Sequence, residues 1–377
     1  MNQSKLRAIF DKSRKKEGGV LDYESMPEWM RANFTVPLED FRKTLSGTAN
    51  SSENYYVANN IYIDIIDNST VNAVAFTAQG HEFIGVNKGA LLSIYSTLQA
   101  LFAHPRFLPH VGDPSRENLS DSGLRDFLQQ GTLSRVDPIE PKCAERQRGA
   151  QFLTINACTF LLAHEVGHIT KAHLIYLNEE HGLAENYAYP PDDGETNLSN
   201  LRHVLEIGAD ENAVHGSIAI WGPTREPYEL PGAGGLKQDF AAWLAGVASI
   251  FVLFDRHAKK AAPKSHPDTD VRYYNVVTCA CNFTKRKFPE MANRCLEESA
   301  LVSAHFHEFL SSVGMPTTAF DFAQNEDKAR RKETIEDLVQ RTGQLMEQLE
   351  SVEDECMEAM AKARNIRLRS NTGGADL

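Results

Sequence analysis

The feature that most restricts this chain is the run His164-Glu165-Val166-Gly167-His168, set inside the mostly apolar segment Phe152 to Thr170. Across Gln151 to Leu177, Ala157, Leu161, His164 and His168 recur at three- and four-residue steps, which predicts a helix with both histidines on one stripe. Side chains four residues apart lie one turn apart, so both imidazoles can reach one tetrahedral ion. Two imidazoles and a carboxylate on a packed face are costly when unpaired, and a metal removes that cost. Glu165 stands beside them, placed to take a proton from a water that zinc acidifies toward a pKa of about 7.

A catalytic zinc needs a third protein ligand and leaves its fourth position to water. The long motif with a histidine six residues on and a glycine three residues on fails here, because Leu174 and Lys171 hold those places and His173 is displaced by one. The alternative is an acidic residue on a second helix, expected from about Asn200 to Ile220. Leu205-Glu206-Ile207-Gly208-Ala209-Asp210-Glu211 supplies it: Glu206 as ligand, with Asp210 one turn further on to accept a hydrogen bond from a ligand imidazole. His203, His215, Asp210 and Glu211 are the other candidates for the third ligand.

Around this pair the chain reads as three parts: an N-terminal appendage (1–55), a catalytic domain (56–320) and a helical tail (321–377). Ile61, Ile63 and Ile65 alternate with polar neighbours, and Val71 to Phe76 follows a turn at Asn68-Ser69, so these two segments read as paired strands. Phe83 to Val86 adds a third strand, and Ala90 to Phe102 an apolar helix. Apart from a short segment around Leu124 to Leu133, residues 104–148 carry little periodicity and read as a long connection or flap. Residues 178–199 and Pro223 to Gly235 read as loops. Cys279 and Cys281, two apart, predict one face of a strand. From Asp327 to Arg369 charges are dense and Ile335, Leu338, Thr342, Leu345, Leu349, Val352 and Cys356 repeat at three and four residues. That predicts either a helix packed on its own domain or a coiled coil offered to a second copy or a protein partner.

Composition narrows the function. A 42% hydrophobic chain of 377 residues can bury a sizeable core. With 51 acidic against 39 basic residues, net charge −12, it has no electrostatic footprint for nucleic acid. The longest apolar run, Phe240 to Phe254, is shorter than the roughly 20 residues a membrane span needs, and Asp239 and Asp255 bracket it. The six cysteines are too scattered for a disulfide framework, and the start has no apolar signal core. A cytoplasmic protein is expected.

The motif of residues 164–168 followed by Glu206-Ile207-Gly208-Ala209-Asp210 resembles the gluzincin peptidases, whose third ligand is a glutamate with an aspartate four residues later. Val71-Asn72-Ala73-Val74-Ala75-Phe76 is similar to the asparagine-alanine edge strand that these enzymes, notably the CAAX prenyl protease type, place above the zinc. Ser265-His266-Pro267 with Arg272 is similar to their late histidine-proline element. The resemblance spans roughly residues 70–275. Because the chain lacks spanning helices, it looks more like soluble relatives such as the Lit phage-exclusion peptidases.

The resemblance implies an α+β zincin-like domain, a small sheet beside two metal-bearing helices, with a charged helical or coiled-coil tail. It implies zinc held by His164, His168 and Glu206, with Glu165 as general base and His266 as oxyanion donor. Asn72 would grip the substrate backbone, and Asp210 and Arg272 would support the ligands. The substrate would be a protein or peptide, in a bacterial or phage-defence setting. Three other classes share these residues: a non-peptidase metal hydrolase, a scaffold with a structural metal and a working tail, and a latent protease switched on by a partner.

Overall fold

The computed structural model describes residues 3–26, 31, 35, 38–39, 61–130, 139–181, 196–221, 228–229, 237–258, 267–323 and 328–372. The fold is α+β and mostly helical, with one three-stranded sheet and a separate two-stranded ribbon of Tyr228–Glu229 and Lys237–Gln238 among the described residues. No helix among them is long and apolar enough to cross a membrane.

The sheet comprises β1 (Ile61–Ile66), β2 (Ala73–Ala78) and β3 (His81–Asn87) in the order β1-β3-β2. The expected pairing of the first two strands is wrong. β3 lies between them, parallel to β1 and antiparallel to β2. The reason is turn length: Gln79 and Gly80, both with positive φ, close a two-residue hairpin between β2 and β3, a tighter link than the six residues from Asp67 to Asn72. That longer link passes over the end of β3, where Asn87 N–H donates to the Asn72 carbonyl and Gly89 N–H to that of Asn68. A Cβ on Gly89 would lie 2.1 Å from the Ser69 carbonyl oxygen, so only glycine fits below the crossing.

Alternation then sends side chains to two faces. Tyr62, Ile66, Val74, Phe76 and Phe83 pack under Leu6, Ile9 and Phe10 of α1 (Gln3–Arg14). On that face the buried Asp64 accepts from the Tyr23 and Tyr62 hydroxyls, each at 2.6 Å. Ile63, Ile65, Ala75, Ile84 and Val86 face the main core. The outer edge of β1 is covered as well: Leu21 N–H donates to Ile65 and Asp67 N–H to Gly19. Among the described residues β2 is the other edge of the sheet.

The main core is built by α2 (Lys88–Phe102), α3 (Asp121–Gln130), α4 (Ala144–Thr170), α5 (His173–His181), α6 (Thr196–Trp221), α7 (Phe240–Ala258), α8 (Thr269–Lys287) and α9 (Ala292–Ser312). α4 is central, lying against β2 and β3 on one side and α2, α6 and α7 on others. The apolar segment from Phe240 is the buried helix α7, and its Trp243 indole donates to Ser217 at 3.0 Å.

Two further expectations change. Residues 103–119 are no free flap: the Arg146 guanidinium, fully buried, donates to the carbonyls of Phe102, His104, Phe107, Leu108 and Val111 at 2.7–3.1 Å. Glu117 accepts from the backbone of Lys142 and Cys143, so this segment is tied to the start of α4. Cys279 and Cys281 lie on α8, not on a strand, because that segment runs on as a helix. Of the two readings of the tail, the structure shows the first: helix α10 (Lys328–Thr372) buries Leu338, Leu349, Cys356, Ala359 and Met360 against the same chain.

Candidate metal centre

α4 and α6 cross where Gly167 meets Ala209, and this close approach brings the two motifs together. His164 and His168 Nε2 stand 3.2 Å apart. Glu206 spans them, Oε2 at 3.5 Å from His164 Nε2 and Oε1 at 3.4 Å from His168 Nε2. Donors about 2.0–2.1 Å from a shared tetrahedral ion lie about 3.3 Å apart, so this triangle has the dimensions zinc requires. Among the described residues it is the one cluster of three or more histidine, cysteine or acidic side chains that converges in this way. Cys279 is elsewhere, 3.7 Å from His215, and burial pushes its thiol up to about 12.

The outer nitrogens explain why the ligand nitrogens point inward. His164 Nδ1 lies 2.9 Å from Asp210 Oδ1, which makes Nδ1 the donor and leaves Nε2 for the ion. Asp210 is held by Arg272, with Nε to Oδ2 at 2.8 Å and Nη2 to Oδ1 at 2.7 Å, and Arg272 Nη1 sits 3.3 Å from Glu206 Oε2. His168 Nδ1 faces His173 Nδ1 at 3.0 Å. The sequence points to no role for His173 beyond a failed ligand position. The helix ends after Thr170, and Ala172 at φ 59° turns His173 back toward His168.

Charge follows burial. Burial pulls the His164 imidazole down, but the Glu206 and Asp210 carboxylates outweigh it and push it up to about 10. Burial would raise Asp210, yet Arg272 and His164 hold it below the usual carboxylate range. Burial moves His173 the other way, well below the ordinary imidazole value, so it is neutral. A site that draws an imidazole proton this strongly has a place for positive charge, and the donor set of two nitrogens and one carboxylate suits zinc.

Glu165 points toward the sheet, and burial raises its carboxyl while the two histidines lower it. The Ala75 backbone on β2 lies on its side and draws it down a little further. Because the Asn72 carbonyl faces β3, alternation leaves Ala73, Ala75 and Thr77 with backbone groups directed away from β3. His164 and Glu165 each keep 6% exposure, while His168, Glu206, Asp210 and His173 keep 2% or less, so the whole cluster is buried.

The structure thus brings together His164, Glu165, His168, Glu206, Asp210 and Arg272. Asn72 is exposed, one residue before β2 begins. His266 lies outside the described residues, as do the expected loop at 46–53 and most of 178–199 and 223–235. His203 and His215 have no place in the triangle, and Glu211 pairs with Lys171 instead. In comparisons with known proteins, no family model, no curated protein and no solved structure matches the chain.

Proposed function

We propose that this chain is a zinc-dependent peptidase with a zincin-like arrangement of a small sheet beside two metal-bearing helices. The observation that carries the reading is the triangle of His164, His168 and Glu206 at 3.2–3.5 Å, with Glu165 beside it on the side of the adjoining strand β2. A zinc ion held there supplies Lewis acidity for amide hydrolysis.

The protein's own groups do the rest. Glu165, with its carboxyl raised by burial, takes a proton from the attacking water and delivers it to the leaving amine. Asp210, gripped by Arg272, keeps the proton of His164 on Nδ1 and its ring in place. The outward backbone groups of Ala73 and Thr77 offer an extended peptide places to pair, on either side of Ala75 and Glu165. A peptide substrate therefore suits this edge better than a compact small molecule, and Asn72 stands at its start.

Elemental analysis of purified protein beside His168→Ala and Glu206→Ala tests the ligand set. About one zinc per chain is expected in the parent and none in either variant. Glu165→Gln is expected to keep the zinc and lose about 10²–10⁴-fold in cleavage of a peptide library. Parent protein free of zinc after purification with zinc supplied would sink the proposal.

A further inference from the structure

We propose that His173 is a positioning residue, which fixes His168 for metal binding by accepting the proton on its Nδ1. The inference rests on the metal-centre reading above. His168 Nε2 belongs to the triangle, so in a neutral ring the proton resides on Nδ1. The atom facing that proton, 3.0 Å away, is His173 Nδ1, which must then be the acceptor. His173 is not a ligand itself, because its nitrogen meets the far side of the His168 ring from the triangle.

A second observation points the same way. With Nδ1 as acceptor, the proton of His173 is on Nε2, and this buried nitrogen has no hydrogen-bond partner among the described residues. An unsatisfied buried N–H is a standing cost that an apolar residue here would avoid. What offsets it is the other nitrogen, which gives His168 the same kind of support that Asp210 gives His164. The two ligands are thus steadied differently, one by a carboxylate clamped by arginine, the other by a neutral imidazole.

The local chain is shaped for this. The positive φ of Ala172 ends α4 and starts α5 with His173 aimed backward. Gly208 on α6 leaves room: a Cβ there would lie 2.9 Å from Leu349 Cδ1 and 3.5 Å from His173 Cε1. α10 closes the far side, with Leu349 against Gly208 and Glu353 paired to Lys171, two residues before His173.

The test is zinc affinity of the full chain, by competition with a chromophoric chelator, for the parent, His173→Phe and His173→Asn. The phenylalanine variant removes the acceptor and is expected to bind zinc about 10–100-fold more weakly. Asparagine puts Oδ1 near the place of Nδ1, so its affinity is expected within about threefold of the parent. The thermal midpoint of the metal-free protein is expected to stay nearly constant, since one unsatisfied N–H is exchanged for another. Parent-like zinc affinity in both variants overturns the role, as does an asparagine variant as weak as phenylalanine. Affinity losses that track losses of metal-free thermal midpoint assign His173 a structural role instead and also overturn it. His173→Met replaces phenylalanine should that variant not fold. A parent that binds no zinc removes the metal centre itself, a result distinct from unequal variants.

Discussion

Arg272 grips Asp210 through two parallel hydrogen bonds, at 2.7 and 2.8 Å, and its remaining terminal nitrogen lies 3.3 Å from the Glu206 carboxylate. One guanidinium therefore holds both Glu206 of the triangle and the support of His164. Arg272→Met is expected to destabilise the fold by about 3–5 kcal/mol, because it strands the buried Asp210 charge. Arg272→Lys keeps the charge but loses the fork, and zinc affinity should fall about 10-fold or more. Urea titration and chelator competition measure the two effects. Parent-like stability for the methionine variant would mean Asp210 is neutralised by another group.

Zinc uptake should depend on pH in a direction set by His164. Its pKa is raised from 6.5 to about 10 in the metal-free site. The proton's contribution to metal-free stability is thus fully present below about 6.5 and lost as pH rises through about 10. Zinc must displace that proton, so apparent affinity is expected to climb about tenfold per pH unit between about 7 and 9. A pH-independent affinity across that window would exclude a protonated His164.

Gly167→Ala sets two effects against each other. Alanine adds up to about 1 kcal/mol of helix propensity. Its Cβ would lie 2.9 Å from Asn212 Cβ and 3.0 Å from Ala209 Cα, and backbone cannot step aside as a side-chain tip can. Overpacking of about 1–3 kcal/mol should win, shifting α6 and with it Glu206. Lower thermal stability and weaker zinc binding are expected together; an unchanged midpoint would show slack between the helices.

Arg146→Met is expected to cost about 3–5 kcal/mol, since five carbonyls lose a shared donor. Hydrogen exchange should then accelerate first over residues 103–119. Uniform acceleration across the chain would argue that this segment is ordered by its apolar contacts instead.

The same arginine explains why part of the fold was illegible in sequence. Order in residues 103–119 comes from a side chain some forty positions on, satisfying carbonyls in no periodic pattern. The two histidines on α4 and the Glu206-Asp210 step on α6 could be read, because helical spacing alone puts each pair on one face. Glu206 was named ahead of its neighbours, but the crossing of α4 and α6 at Gly167 and Ala209 that brings it to the histidines could not be read. His173 was hidden by the break at Ala172, which no proline or glycine announces. Strand order escaped for a related reason: two short links competed, and the tighter one decided which strands pair. On α8 the apolar run from Val271 to Phe283 suits either period, and only packing settled it.

The arginine between two carboxylates also sets an account of electroneutrality for the interior. Glu206 and Asp210 carry two negative charges, Arg272 one positive charge, and the proton that these carboxylates draw onto His164 a second. Without an ion the interior is thus balanced by a proton, while burial draws Glu165 toward its neutral form. A cation entering the triangle would take over that proton's charge, so the buried carboxylates have a counter-charge in either state.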